Sequence, residues 1–113
     1  MKKENYKRSE YVRVSHKNKI LILFLANKYK NFTNIEIQKT LGFQNKEQVH
    51  KRTSDLMDDG LISEVGFIEI KNKFHTLYQL TPIELVEEMK KKRFEQRKNE
   101  WFEQGLRKGY VNL

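Results

Sequence analysis

The side chains whose types and spacing suit chemistry lie between residues 45 and 73, and they are hydrogen-bond donors and cations. Over residues 45–59 apolar side chains recur at helical spacing, so the segment is predicted to be a helix with one buried stripe and one polar face. The candidate binding residues on or beside that face are Lys46, Gln48, His50, Lys51, Arg52 and Ser54. Side chains of these kinds bind an anionic or hydrogen-bonding partner.

A second group of candidates lies at the tip of a β-hairpin predicted over residues 66–76. Gly60 ends the preceding helix, and apolar extended segments follow on both sides of a turn predicted at Asn72 and Lys73. Lys71 lies beside this turn. We therefore expect Lys71, Asn72 and Lys73 to form a basic tip that contacts phosphate groups.

Catalysis and metal binding find little support in the sequence. The histidines His16, His50 and His75 are scattered, and none has metal-ligand spacing with a carboxylate. The chain has no cysteine, and its five glycines stand apart rather than forming a phosphate-binding loop. We expect no catalytic residue, no metal ligand and no cofactor, so the chain is not predicted to be an enzyme.

Composition points to one basic domain. The chain has 113 residues, a formal charge of +8 and a pI of about 9.7, and this excess of base favours a polyanionic partner, nucleic acid above all. A lysine-rich surface that serves solubility alone stays open as the alternative. The longest apolar run, residues 20–26, is too short to span a bilayer, and residues 1–10 lack the apolar core of a signal peptide. We expect a soluble, cytoplasmic protein without a membrane partner.

Hydrophobic patterning predicts the elements that position these groups. Residues 1–17 form a basic N-terminal arm, part helical. A core helix begins at Asn18 and ends between residues 28 and 31, and a short second helix is capped by Thr33 or Asn34 and stopped by Gly42. The residues predicted to be buried in these two helices are Ile20, Leu21, Leu23, Phe24, Leu25, Ile35, Ile37 and Leu41.

The last helix is predicted to begin at Pro82 and to reach about Arg107. Thr81 would cap it, with Glu84 completing a capping box and Ile83, Val86 and Met89 in the core. About 26 residues extend about 39 Å, more than so small a body covers. The residues predicted to protrude and to contact a second copy in a homodimer are Trp101, Phe102 and Leu106. The alternative is that this end folds back onto the first helix or the arm.

Two sequence motifs, SDLMDDGLI and LYQLT, resemble those of winged helix-turn-helix proteins, and most closely small prokaryotic and phage regulators of the multiple-antibiotic-resistance type. The resemblance covers residues 18–88. It implies a mainly α fold with a small β-hairpin (α+β), a winged helix-turn-helix with a long C-terminal helix, and an extension over residues 89–113 that dimerises. The hairpin has Lys71, Asn72 and Lys73 where those regulators have aspartate-x-arginine, which places a small-molecule-sensing role in doubt.

The function that this resemblance implies is sequence-specific binding of double-stranded DNA by a transcriptional regulator. Helix 45–59 would enter the major groove, where Gln48 suits adenine and Lys51 or Arg52 suits guanine, although Arg52 is expected to contact phosphate instead. An ordinary solvated helix face stays open as the alternative for these residues. Two other functions also stay open, a plasmid or phage DNA partition or replication-control protein and a protein-interaction adaptor with a second protein partner.

Overall fold

The structure, a computed structural model, describes residues 2–107, with side chains over residues 10–106. Its elements in chain order are α1 (Lys2–Ala26), α2 (Asn34–Leu41), α3 (Lys46–Asp58), β1 (Ile62–Ile70), β2 (Lys73–Leu80), a 3₁₀ turn (Ile83–Leu85) and α4 (Val86–Arg107). The predicted class is confirmed at this level, because the described chain is mainly helical with a two-stranded antiparallel hairpin and a long C-terminal helix.

The first helix is longer than predicted. Residues 1–17 were expected to be an arm joined to a helix at Asn18, but α1 is continuous from Lys2 to Ala26. Residues 2–17 contain neither proline nor glycine, so nothing in them interrupts a helix. The predicted end between residues 28 and 31 is also wrong, because the chain tightens after Ala26, where the Asn27 amide N–H bonds the Phe24 carbonyl at 3.1 Å.

Of the local signals that bound α2 and begin α3, the cap at Thr33 and the stop at Gly42 were predicted, whereas the cap at Asn45 was not. The Thr33 hydroxyl accepts the Glu36 N–H at 3.2 Å while the Glu36 carboxylate accepts the Thr33 N–H at 3.1 Å, which forms a complete capping box. Gly42 follows α2 in the left-handed conformation, with φ of 72°. Asn45 caps α3 by accepting the Gln48 N–H at 3.0 Å. These short-range contacts fix where α2 begins and ends and where α3 begins.

The hairpin turn lies one residue earlier than predicted. Ile70 pairs with Lys73, so the two-residue turn is Lys71–Asn72, with φ of 51° and 65°. Two positive φ values in a two-residue hairpin loop are typical of a type I′ turn, whose twist matches that of the strands. Lys73 therefore begins β2 instead of closing the turn.

The core lies between the helices and the base of the hairpin. Its buried side chains are Ile20, Phe24, Phe32, Ile37, Val49, Leu56, Ile62 and Tyr78. Phe32 also pairs with β2, because its N–H and carbonyl exchange hydrogen bonds of 2.8 Å with Tyr78. Leu25, predicted to be buried, is exposed, since it lies on the side of α1 away from Ile20 and Phe24.

The start of the last helix differs from the capping box predicted there. The Thr81 hydroxyl is 2.7 Å from that of Ser63 on β1, so it bonds the neighbouring strand instead of the helix end. Pro82 is extended, with ψ of 139°, and α4 begins only at Val86 after the 3₁₀ turn. Ile83, expected in the core, is 89% exposed because it lies on this outward-facing turn.

Helix α4 begins against the end of α3. Gly60, with φ of 76°, lies so close to it that a Cβ placed there would be 2.9 Å from the Lys90 backbone nitrogen. The direction of α4 is thus fixed at Gly60 by backbone packing.

Within the described residues, no helix is long and apolar enough to cross a membrane.

Candidate nucleic-acid interface

The first half of α3 carries an exposed set of polar side chains. We call Lys46, Gln48, His50 and Lys51 the α3 polar face; Gln48 is half-buried, and the other three are exposed, as is the carboxylate of Glu47 among them. Neither lysine forms an ion pair with any other residue that the structure describes. The Asn45 cap begins the helix so that these side chains project from its first two turns.

The last turns of α3 have the opposite charge, and that charge is neutralised inside the protein. Asp55 pairs with Arg52 at 3.2 Å, and Asp59, the residue after the helix, pairs with Lys17 of α1. Asp58 accepts hydrogen bonds from Arg93 and Arg97 of α4. Carboxylates interact unfavourably with the negative end of a helix dipole. The cations that pair with them offset this electrostatic repulsion.

Two of the predicted contact residues are engaged within the protein. The Ser54 hydroxyl accepts a hydrogen bond of 3.2 Å from Arg93 of α4, whereas Ser54 was expected on the open polar face of the helix. Only 12% of the Arg52 side chain is exposed, as it lies along the helix towards Asp55. Helix α4 packs against the last turns of α3. The first half of α3 therefore remains open to a partner.

The hairpin tip exposes the three polar residues predicted there. Lys71, Asn72 and Lys73 are all exposed, and neither lysine has an ion pair among the described residues. The sequence did not predict how far the hairpin extends beyond the core. Phe67 and Phe74 remain 70% and 69% exposed, and their rings pack edge to face with centroids 5.3 Å apart.

The far end of α4 exposes aromatic side chains, including one that was not predicted. Trp101 is 69% exposed, Phe102 is 39% exposed and Leu106 is half-buried. Phe94 is 66% exposed and lies seven residues before Trp101, which places both rings on one side of the helix. That seven-residue spacing is a signal in the sequence that could have identified Phe94.

The histidines lie in unrelated places. The His16 ring packs edge to face on Phe43 with centroids 4.9 Å apart, His50 belongs to the α3 polar face, and His75 lies on β2. No group of three or more potential metal ligands is found within the described part of the chain.

Comparison with protein-family models, curated proteins and solved structures finds no match to this chain.

Proposed function

We propose that this protein is a sequence-specific double-stranded DNA-binding protein of the winged helix-turn-helix type, a transcriptional regulator. The order of elements supports the proposal, because α2 and α3 are short consecutive helices and a hairpin follows them directly. The backbone pairing of Phe32 with Tyr78 adds a third short extended segment beside the hairpin. In this arrangement α3 is the recognition helix and the β1–β2 hairpin is the wing.

The observation that carries the proposal is the separation of charge along α3. Asp55, Asp58 and Asp59 at its end are neutralised by Arg52, Lys17 and the two arginines of α4. Lys46 and Lys51 in its first half have no described partner, and Glu47 is the one acid of that half. A helix that served only as a solvated surface has no need of this separation. Unpaired cations at the start of a helix suit DNA, because recognition helices contact base edges and phosphates near their N-terminal ends.

The proposed contacts divide into those that read the sequence and those that hold the backbone. Gln48 and Lys51 lie one turn apart, and their donors suit adenine and guanine edges in the major groove. Lys46, Lys71 and Lys73 hold phosphates, which sets the register of the protein on the duplex. Arg52 and Ser54 are left out of the proposed interface because both are engaged within the protein.

Selection from a random duplex library tests this function. The protein is incubated with duplexes at low salt, bound DNA is recovered over several rounds, and the enriched sequences are compared. We expect one short motif to be enriched, and we expect the matching single strands to bind more weakly than the duplex. Recovery without any enriched motif, or no recovery at all, would contradict sequence-specific duplex binding.

We also propose that the protein binds DNA as a homodimer held together by the far end of α4. The exposed rings of Phe94 and Trp101 support this, because large apolar side chains left exposed on one side of a helix often mark an interaction site. Two recognition helices would then contact half-sites about one DNA turn apart. Analytical ultracentrifugation of the wild type and of Trp101→Ala tests it, with a dimer expected for the first and a weakened dimer for the second.

A DNA-bound protein that recruits a second protein, as in plasmid or phage partition or replication control, is the second candidate. The same exposed rings support it, since they suit contact with a second protein as well as contact with a second copy of the chain. A wild type that stays monomeric both free and on its selected DNA removes the homodimer and leaves this candidate. A pure adaptor is favoured instead if the protein fails to bind duplex DNA.

A further inference from the structure

Helix α1 has apolar side chains on two opposite sides, and the core covers one of them. Ile20 and Phe24 are fully buried on the core side. The apolar side chains on the opposite side, between 47% and 74% exposed, are Tyr11, Val14, Ile22 and Leu25. A helix that is apolar on both sides usually has a neighbour on each. The exposed side of α1 is therefore expected to have a partner.

The exposed residues form a symmetric row along the helix. We define the outer stripe of α1 as Tyr11, Val14, Asn18, Ile22 and Leu25, of which Asn18 is the polar member and is exposed. Their spacings are three, four, four and three residues, so at 3.6 residues per turn all five lie within about 80° around the helix. The spacings are the same when counted from either end. The outer stripe is thus symmetric about Asn18.

A symmetric stripe matches itself when a second copy lies antiparallel across it. With the centre at Asn18, Tyr11 lies opposite the second copy's Leu25, and Val14 lies opposite the second copy's Ile22. The two Asn18 side chains then meet at the twofold axis. An amide both donates and accepts hydrogen bonds, so the two amides can satisfy each other there. A single Asn in an apolar seam between helices fixes the register of the pair.

The charges of α1 also suit a second copy. The chain has a formal charge of +8, but none of the five residues of the outer stripe is charged. Glu10 and Lys19 lie about a quarter turn to either side of the stripe, where both are exposed and water screens their charges. An acidic partner would find no cation within the stripe. A second copy offers the same uncharged surface.

We propose that the outer stripe of α1 binds the outer stripe of a second copy, antiparallel, with the twofold axis at Asn18. This contact is separate from the one proposed for α4. The described residues that surround Phe94 and Trp101 belong to α4 and to the end of α3, and none belongs to the outer stripe. A chain that makes both contacts has two different twofold interfaces, so it joins dimers into larger assemblies.

The α1 contact is expected to be weaker than a standard protein interface. A stable interface has about 20–30 residues on each side, whereas the outer stripe has five. We therefore expect association through α1 only at high micromolar protein concentration. The measurements that test it are made at that concentration and without DNA, so their results do not depend on the proposed function.

Cysteine cross-linking tests which residues meet, because the chain contains no cysteine of its own. A disulfide forms only where two Cα atoms come within about 7 Å. Asn18→Cys is expected to form a disulfide-linked dimer on mild oxidation, since position 18 faces itself at the axis. Val12→Cys is the matched control, because Val12 is 42% exposed on another side of the same helix. Cross-linking of Asn18→Cys no faster than that of the control overturns the proposal.

A mixture of two further variants tests the antiparallel direction. Tyr11→Cys, carrying a tag that changes its mass, is oxidised together with Leu25→Cys. We expect the mixed dimer to form in excess over the two like dimers, because positions 11 and 25 lie opposite each other in an antiparallel pair. A parallel pair would link each variant to itself instead. An excess of like dimers, or cross-linking no faster than that of Val12→Cys, overturns the proposal.

Sedimentation then tests whether the outer stripe is needed for association. Trp101→Ala serves as the background, because it weakens the contact proposed for α4. Ile22→Gln with Leu25→Gln removes apolar surface from two exposed positions while keeping good helix formers, and circular dichroism checks the fold. We expect this variant to be monomeric at high micromolar concentration, whereas the background alone and the background with Val12→Gln associate. Equal sedimentation of all three proteins overturns the proposal.

Discussion

The Nε of Arg93 on α4 donates a hydrogen bond of 3.0 Å to Oδ1 of Asp58 at the end of α3. Arg97, one turn further along α4, donates to the other carboxylate oxygen at 2.5 Å. Charge-assisted hydrogen bonds of this kind are stronger than neutral ones, and two of them on one carboxylate restrict the angle between the helices. These two hydrogen bonds hold α4 against α3, whose first half carries the α3 polar face.

Replacing Arg93 by alanine is expected to lower the free energy of unfolding by about 1–2 kcal/mol. Arg93 is 19% exposed and also bonds Ser54, so its loss leaves two acceptors short of a donor, although Asp58 is one-third exposed and water screens part of the effect. Urea denaturation measures the change. Lys92→Ala is the control, because its pair with Glu88 is exposed at both ends and its loss should change stability by less than about 0.5 kcal/mol. Equal effects of the two changes would contradict a structural role for Arg93.

Gly60→Ala is expected to destabilise the protein far more than Gly42→Ala. Both glycines have left-handed φ, so alanine costs about 1–2 kcal/mol at either position from backbone strain alone. At Gly42 nothing lies within 4 Å of the added methyl group, whereas at Gly60 it meets the backbone of α4. We expect a total of about 2–4 kcal/mol at Gly60, since α4 must move. Similar urea midpoints for the two variants would show that α4 does not pack on Gly60 as described.

Tyr78 is expected to make the protein less stable at high pH. Burial raises the pKa of its phenol above the ordinary 10.0, and the negative charge of Glu64 raises it further. A group whose pKa is raised by folding contributes stability that is full below its unfolded pKa and is lost as pH rises through the folded pKa. Above about pH 10 the wild type should therefore lose stability faster than Tyr78→Phe, as measured by denaturation from pH 8 to 11. Parallel curves for the two proteins would exclude this effect of Tyr78.

Short-range signals in the sequence predicted the parts of the fold that depend on neighbours a few residues apart. The cap at Thr33 and the stop at Gly42 belong to this class, because each contact is made within one helical turn. The predicted cap at Thr81 failed because its hydroxyl bonds Ser63, eighteen residues away in the sequence and adjacent across the hairpin. A capping rule that considers only residues three or four apart does not take account of a hydroxyl so distant in the sequence.

The candidate site also has features that follow from nearby residues in the sequence and features that depend on distant ones. Exposure of Lys46 and Lys51 follows from helical periodicity alone, and the structure places both on the open side of α3. Ser54 and Asp58 occupy equally polar positions by that periodicity. Their engagement by α4 depends on Arg93, which is 39 and 35 residues further along the chain, so the sequence pattern of α3 could not reveal it.

Gln48→Ala and Lys73→Ala are expected to separate reading from holding. Loss of a side chain that bonds a base edge should reduce discrimination against the altered base pair by about 1–3 kcal/mol, whereas loss of a phosphate contact should weaken every site alike. Competition binding with single-base variants of the selected site measures both. Lys92→Ala is again the control, as its ammonium group pairs with Glu88. The assignment fails if both changes weaken all sequences equally.

The salt dependence of duplex affinity shows whether Lys46 of α3 and the two lysines of the wing bind the phosphates of duplex DNA. Each neutralised phosphate contributes a slope of about −0.9 to log affinity against log salt concentration, so contacts by Lys46, Lys71 and Lys73 give about −2.7 per protomer. Replacing any one of them by alanine should make the slope shallower by about one unit, whereas Lys92→Ala should leave it unchanged. A steep decrease of affinity with salt concentration, made shallower by these three changes, is the expected result. A flat salt response, or no binding to duplex DNA at low salt, would contradict it.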